Sequence, residues 1–185
     1  GYTLGALAAD IVAVSHDHPG HNNVTAIRSV RKVVSGPGEY EIAGVLITGI
    51  RTYHDKERGH LLGKNTAYII EIDGVRVCHL GDLGHVPTAA QVQEMGRADV
   101  LLVPAGGGTT LDCTAAAETI GLLEPRLVVP MHYQTAASTA ALDPVDRLLR
   151  EMGLGEIEPQ ARLNVTPTNL PLETRVVLLE VRLGG

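Results

Sequence analysis

Three histidines within six residues, His16, His18 and His21, follow the apolar run Asp10-Ile11-Val12-Ala13-Val14. Neutral imidazole is a common ligand for zinc and similar metals, and three converging rings supply most of one site. The apolar run reads as a buried strand. If His16 and His18 prolong it, their period of two puts both rings on one face. Pro19-Gly20 then turns the chain and can bring His21 back to the same point. All eight histidines lie between His16 and His132. His16, His18, His54, His79 and His132 fall at predicted strand ends, and the carboxylate of Asp82 falls at another. Taken singly, each would read as an ordinary polar residue. Together they are candidates for one constellation, because strand ends along one rim are where a rigid scaffold presents a site.

The elements that must position them alternate along the chain. The first strand runs Asp10 to Ser15, led in by Leu4 to Ala9. Asn22 or Asn23 can cap a short helix through Val24 to Val30. Arg31 to Ser35 is a short strand, ended by Gly36-Pro37-Gly38. Tyr40 to Tyr53, interrupted at Ala43-Gly44, reads as a hairpin whose outgoing strand delivers His54. Asp55 to Lys64 is a charged loop expected over the metal. Thr66 to Ile72, the turn Asp73-Gly74, and Val75 to Leu80 form a second hairpin ending in His79-Leu80-Gly81-Asp82. Thr88 is a plausible N-cap for a helix over Ala89 to Met95, before a strand over Asp99 to Pro104. Asp112 caps Thr114 to Leu123, and a buried strand from Leu127 to Met131 ends at His132. A helix begins at Asp143-Pro144 with proline in its first turn and stops at Gly153. Thr174 to Leu183 is a last strand.

Composition bounds the function classes. At 185 residues with 44% hydrophobic and 19% charged residues, a single folded domain over 1–185 is expected. Neither Phe nor Trp is present, so aliphatic residues must fill the core. A net charge of −6 argues against a general nucleic-acid or membrane-surface binder. Cys78 and Cys113 form no framework, which suits reduced thiols and a cytoplasmic protein. No apolar stretch reaches the length of a membrane span, and no signal peptide is visible.

The combined motifs resemble the metallo-β-lactamase superfamily, in the branch of the ascorbate-phosphate lactonases and their uncharacterised Zn-dependent relatives. The family signature is H-x-H-x-D-H at a strand end, followed by a distant His, a Gly-Asp and a final His. Here it is matched by His16-x-His18-x-x-His21, Tyr53-His54-Asp55, His79-Leu80-Gly81-Asp82 and Pro130-Met131-His132-Tyr133. Gly38-Glu39-Tyr40-Glu41 and Gly63-Lys64-Asn65-Thr66 also look like this branch, and the likeness spans about residues 10 to 153. It implies an α/β (α+β) fold, an αβ/βα sandwich with metals at one edge. It also implies that His16, His18 and His54 hold one metal and that His21, Asp82 and His132 hold a second, with Asp82 able to bridge. In the family the ions are usually zinc, sometimes manganese or iron. Asp82 and His79 are the candidate catalytic residues, His79 as a hydrogen-bond partner of a ligand carboxylate. His60 and His85 read mainly as solvated loop residues. Arg51, Arg58 and Lys64 are candidates to meet an anionic small-molecule substrate.

Two departures qualify the likeness. The signature's Asp is Gly20 here. Asp17 should point away by strand alternation, and Asp55 reaches in only if its loop folds back. The family's first N-terminal strands also lie ahead of the point where this chain begins. An edge so bared is expected to be covered by a homo-oligomer partner or by further residues. The expected activity is hydrolysis of a small ester, lactone or phosphodiester through a metal-bound hydroxide. A catalytically weak metal-binding regulatory module is the alternative, and an RNA nuclease the weaker third.

Overall fold

The computed structural model describes residues 5–181. In chain order the strands begin with β1 (Leu7–Ala8), β2 (Ile11–Val14), β3 (Ile27–Arg28) and β4 (Lys32–Ser35). They continue with β5 (Gly38–Ile42), β6 (Val45–Tyr53), β7 (Lys64–Ile72) and β8 (Val75–His79). Then follow α1 (Ala89–Met95), β9 (Val100–Pro104), α2 (Cys113–Leu123), β10 (Leu127–Met131), α3 (Val145–Glu151) and β11 (Arg175–Val176). A seven-stranded mixed sheet has the order β11-β10-β9-β8-β7-β6-β5, while β1 pairs with β3 and β2 with β4.

Two hairpins build the antiparallel half of the large sheet. Ala43 (φ 51°) with Gly44 (φ 80°), and Asp73 (φ 50°) with Gly74 (φ 74°), supply the positive φ pairs that two-residue turns need. The remaining strands, β8 through β11, run parallel. Alternation along them splits the core between two faces. Ile69, Leu101, Val103 and Val128 pack with helix residues Met95, Ala116, Ile120 and Leu148. On the other face Val75, Val100, Leu127 and Val129 pack against Leu163, Val165 and Leu170. Further along that face, Ile47 and Tyr68 meet Val34 of β4 and Ile11 of β2. Tyr68 ties the small sheet down, its hydroxyl donating to Val14 O at 2.9 Å and accepting from Gly36 N–H at 3.1 Å. This is the mixed α/β sandwich expected, with helices on one face of the large sheet.

Thr88 caps α1 in a reciprocal box with Gln91, and the Asp112 carboxylate caps α2 by accepting from Ala115 N–H. Three local expectations are corrected. The helix over Val24 to Val30 is only a 3₁₀ turn, Val24–Ala26, followed by β3. Asn23 makes no capping bond, its Oδ1 accepting from Thr25 instead, and β-branched Val24, Thr25 and Ile27 disfavour helical rotamers. Pro144 stands just before α3 as its N-cap rather than inside its first turn. The last strand holds a ladder only over Arg175–Val176, because Leu178 and Glu180 switch their backbone bonds to Gln160. Arg182 and Leu183 of that expected strand, and Leu4 of the lead-in, lie outside the described residues. Within those residues, no helix is long and apolar enough to cross a membrane.

Candidate metal centre

Strand direction brings the chemistry together. β6, β8, β9 and β10 point the same way, since β7 is antiparallel to both β6 and β8. Their C-terminal ends therefore share a rim, and His54, Asp82 and His132 each follow one of them closely. The small sheet docks its β2 end on the same rim, where Thr66 N–H donates to Ser15 O at 2.8 Å. His16 and His18 come from that end. A short turn, closed by His21 N–H to His18 O at 2.8 Å, returns His21.

All six expected side chains meet. Asp82 Oδ2 lies 3.6 Å from His16 Nε2, 3.4 Å from His21 Nε2, 3.3 Å from His54 Nε2 and 3.7 Å from His132 Nε2. The His18 ring centre is 4.7 Å from that of His16 and 4.9 Å from that of His54. Two groups have donor atoms all within 4.8 Å of one another, His16 with His18 and His54, and His16 with His21 and Asp82. The first is the expected triad. The second contains His16 where His132 was expected, with His132 at the margin beside Asp82.

The protonation states suit a cation. Burial raises the Asp82 carboxyl, but the His54 hydrogen bond and the nearby imidazoles outweigh it and bring its pKa to about 2. Burial lowers His16 to about 4, with Asp82 opposing and the neighbouring rings assisting. His21 is also lowered, mainly by burial. Burial lowers His54 too, but its bonds to Asp82 and Thr109 win and its pKa is raised. An ionised Asp82 beside neutral His16 and His21 is the state that a metal ligand needs.

Outer contacts turn the rings inward. Ser15 Oγ is 2.9 Å from His16 Nδ1, and Thr109 O is 3.0 Å from His54 Nδ1. The Thr110 hydroxyl donates to Gly107 O, leaving its oxygen to accept from His132 Nδ1 at 3.4 Å. Each ring is thereby left with Nε2 facing the centre. His16 Nε2 is buried and has no hydrogen-bond partner. A buried ring nitrogen left unpaired is costly, and its neutral form can give its electron pair to a cation, so the donor set fits a metal.

Residue types alone did not reveal Ser15, Thr109, Thr110 or Asn65. The available signal was a polar residue beside or inside a strand for Ser15 and Asn65, and the glycine-rich loop between β9 and α2 for Thr109 and Thr110. His79 does not hydrogen-bond the Asp82 carboxylate as expected. Its Nδ1 accepts from Gly81 N–H at 3.0 Å, because the tight turn after β8 points that N–H back at the ring. His85 is structural, its Nε2 accepting from Tyr53 N–H and its Nδ1 bonding Val86 O. His60, Arg51, Arg58 and Lys64 are exposed and outside the cluster.

Neither candidate stand-in for the missing carboxylate is free. Asp17 is exposed and accepts from Asn22 Nδ2. Asp55 is buried and receives four backbone N–H groups, from Glu57, Gly59, Leu61 and Leu62, at 2.7–3.0 Å. Those bonds override burial and bring its pKa to about 2. Its loop closes on its own carboxylate instead of reaching the cluster.

A rim of imidazoles around one carboxylate, on a sheet with helices on one face, defines the metal-dependent enzymes of the metallo-β-lactamase fold. Residues 1–132 match the family model described as a beta-lactamase superfamily domain. A UPF0173 metal-dependent hydrolase of Thermococcus onnurineus is 32% identical over 163 residues, 75% of this chain and 72% of that protein. One from Thermococcus kodakarensis is 34% identical over 152 residues, 69% and 68% of the two chains. The crystal structure of a metallo-β-lactamase-superfamily protein from Thermotoga maritima superposes with a TM-score of 0.79 at 39% identity, covering 97% of this chain and 86% of that one. The chain belongs to the metallo-β-lactamase superfamily, among its UPF0173 metal-dependent hydrolases, and is an enzyme of the hydrolase type.

Proposed function

We propose that the protein hydrolyses a small, anionic ester, lactone or phosphodiester at a centre held by His16, His18, His21, His54, Asp82 and His132. The observation that carries this reading is the orphaned His16 Nε2 beside Asp82 Oδ2, on which His21, His54 and His132 also converge. Zinc suits this set of nitrogens with one oxygen, and manganese or iron would share it. When bound, the metal supplies Lewis acidity and brings the pKa of its water toward neutrality.

The chain's own groups do the remaining tasks. Asp82 stays ionised at neutral pH and neutralises part of the cation's charge. Thr109 O accepts from His54 Nδ1–H and so fixes that ring's tautomer, while Ser15 Oγ holds the His16 ring from its Nδ1 side. With its Nδ1 accepting from Gly81 N–H, neutral His79 carries its proton on Nε2. Arg58 and Lys64 are exposed and have no ion pair among the described residues, which suits contact with an anionic group.

Gly20 favours a second reading, in which the protein binds metal but turns over slowly as a regulatory module. Metal analysis of the purified protein, followed by a screen of esters, lactones and phosphodiesters, separates the two. Metal with turnover that chelation abolishes supports hydrolysis. Metal without turnover supports the module, and no metal at all overturns both.

A further inference from the structure

Asn65 is the second residue of β7 and is 1% exposed. Its side-chain amide spans three strands. Nδ2 donates to Thr52 Oγ1 on β6 at 2.7 Å and to Leu80 O, just past β8, at 2.8 Å. Oδ1 accepts from Asp82 N–H at 3.1 Å. The turn so gripped is tight. Gly81 adopts φ +59°, and a Cβ there would lie 2.4 Å from Asn65 Oδ1 and 2.7 Å from Ser15 Cβ. The next residue, Thr66, holds Ser15 O from the small sheet at 2.8 Å. Asn65 and Thr66 thus grip, side by side, the turn that carries Asp82 and the strand end that carries His16.

We propose that Asn65 is a positioning residue of the metal centre, fixing the Asp82 carboxylate against His16 through its bond to Asp82 N–H. This rests on the metal-centre reading above. The physical reason is register between two sheets. His16 and Asp82 come from different sheets, so no backbone ladder sets their separation. An amide with one acceptor and two donors satisfies the Leu80–Asp82 turn on both sides, where an aliphatic residue would leave Asp82 N–H and Leu80 O buried and unpaired.

The test compares wild type with Asn65→Leu, Asn65→Asp and Thr52→Val. It reads Zn²⁺ affinity by chelator competition, the visible spectrum of the Co²⁺-loaded protein, and the melting temperature without metal. Asn65→Leu should lose about 10–100-fold in affinity and shift the Co²⁺ spectrum, as loss of an outer ligand contact does. Asn65→Asp keeps an oxygen for Asp82 N–H and should retain more affinity. Thr52→Val removes a bond to Asn65 without touching Asp82, so it should lower melting while leaving the spectrum unchanged. Should Asn65→Leu fail to fold, Asn65→Ser removes the contact with a smaller, polar side chain and carries the same expectation. Unchanged affinity and spectrum in the Asn65 variants would overturn the proposal, as would an equal loss in Thr52→Val. A wild type that takes up no metal would overturn the metal-centre reading itself, and this one with it.

Discussion

His54 Nε2 lies 3.3 Å from Asp82 Oδ2, although the two residues follow different strands and are separated by a hairpin. Thr109 O engages the far side of the His54 ring, and Asn65 holds the Asp82 backbone. The pair is therefore fixed from behind at both ends. Asp82 is the common neighbour of His16, His21, His54 and His132, so its charge is what the cluster shares.

Asp82→Asn keeps the shape and removes that charge. Metal affinity should fall by at least the factor of about 10–100 typical of outer-ligand losses, and hydrolysis with it. Chelator competition and metal content measure the first, and the ester screen the second. Full metal content in the variant would remove Asp82 from the ligand set.

Gly20→Asp should raise occupancy of the second metal position. Gly20 is outside the left-handed region, and nothing lies within 4 Å of a Cβ added there, so the new side chain meets no strain or clash. Neither Asp17 nor Asp55 competes for the role. After equal zinc loading, metal per chain should increase, with a gain in affinity of order 10–100-fold. Equal stoichiometry in the two proteins would mean that Gly20 does not limit the site.

Asp55→Asn should loosen the loop that follows His54. The carboxylate that accepts four N–H groups would become an amide with one acceptor oxygen. Amide exchange at Glu57, Gly59, Leu61 and Leu62 should quicken in the variant. The wild type should also show a pH effect. Its folded pKa of about 2 lies below the unfolded value, so the contribution is complete above about pH 4 and is lost as pH falls toward 2. Exchange protection that does not change with pH in that window would contradict this.

Gly106→Ala should displace His132. A Cβ at Gly106 would sit 2.2 Å from His132 O and 2.8 Å from Tyr133 Cα, and backbone cannot rotate away. His132 already holds a left-handed φ of 51° to present its ring. A destabilisation of about 1–3 kcal/mol is expected from such overpacking, read by denaturant titration. Metal affinity should drop as well, and retention of both stability and affinity would show that the loop yields freely.

The strands β2, β4, β6, β7, β8, β9 and β10 were legible because apolar runs with turn residues between them leave few other choices. The side chains that gather at the rim were legible from strand-end histidines together with the family resemblance of their motifs. Histidines at strand ends, repeated along the chain, mark a rim whichever way the sheet is ordered. What the residue types alone left open depended on partners distant in sequence. Ile27 and Arg28, inside the expected helix, turned to strand because β1 was there to pair with them. Asp55 is the exception, captured by the nearby amides of its own loop rather than by a distant partner. Sequence by itself singled out the six side chains that gather at the rim. Only the tertiary structure decided their outer partners, since Asn65 reaches Asp82 N–H, and Thr109 and Thr110 reach His54 and His132, across strands whose register no local spacing encodes.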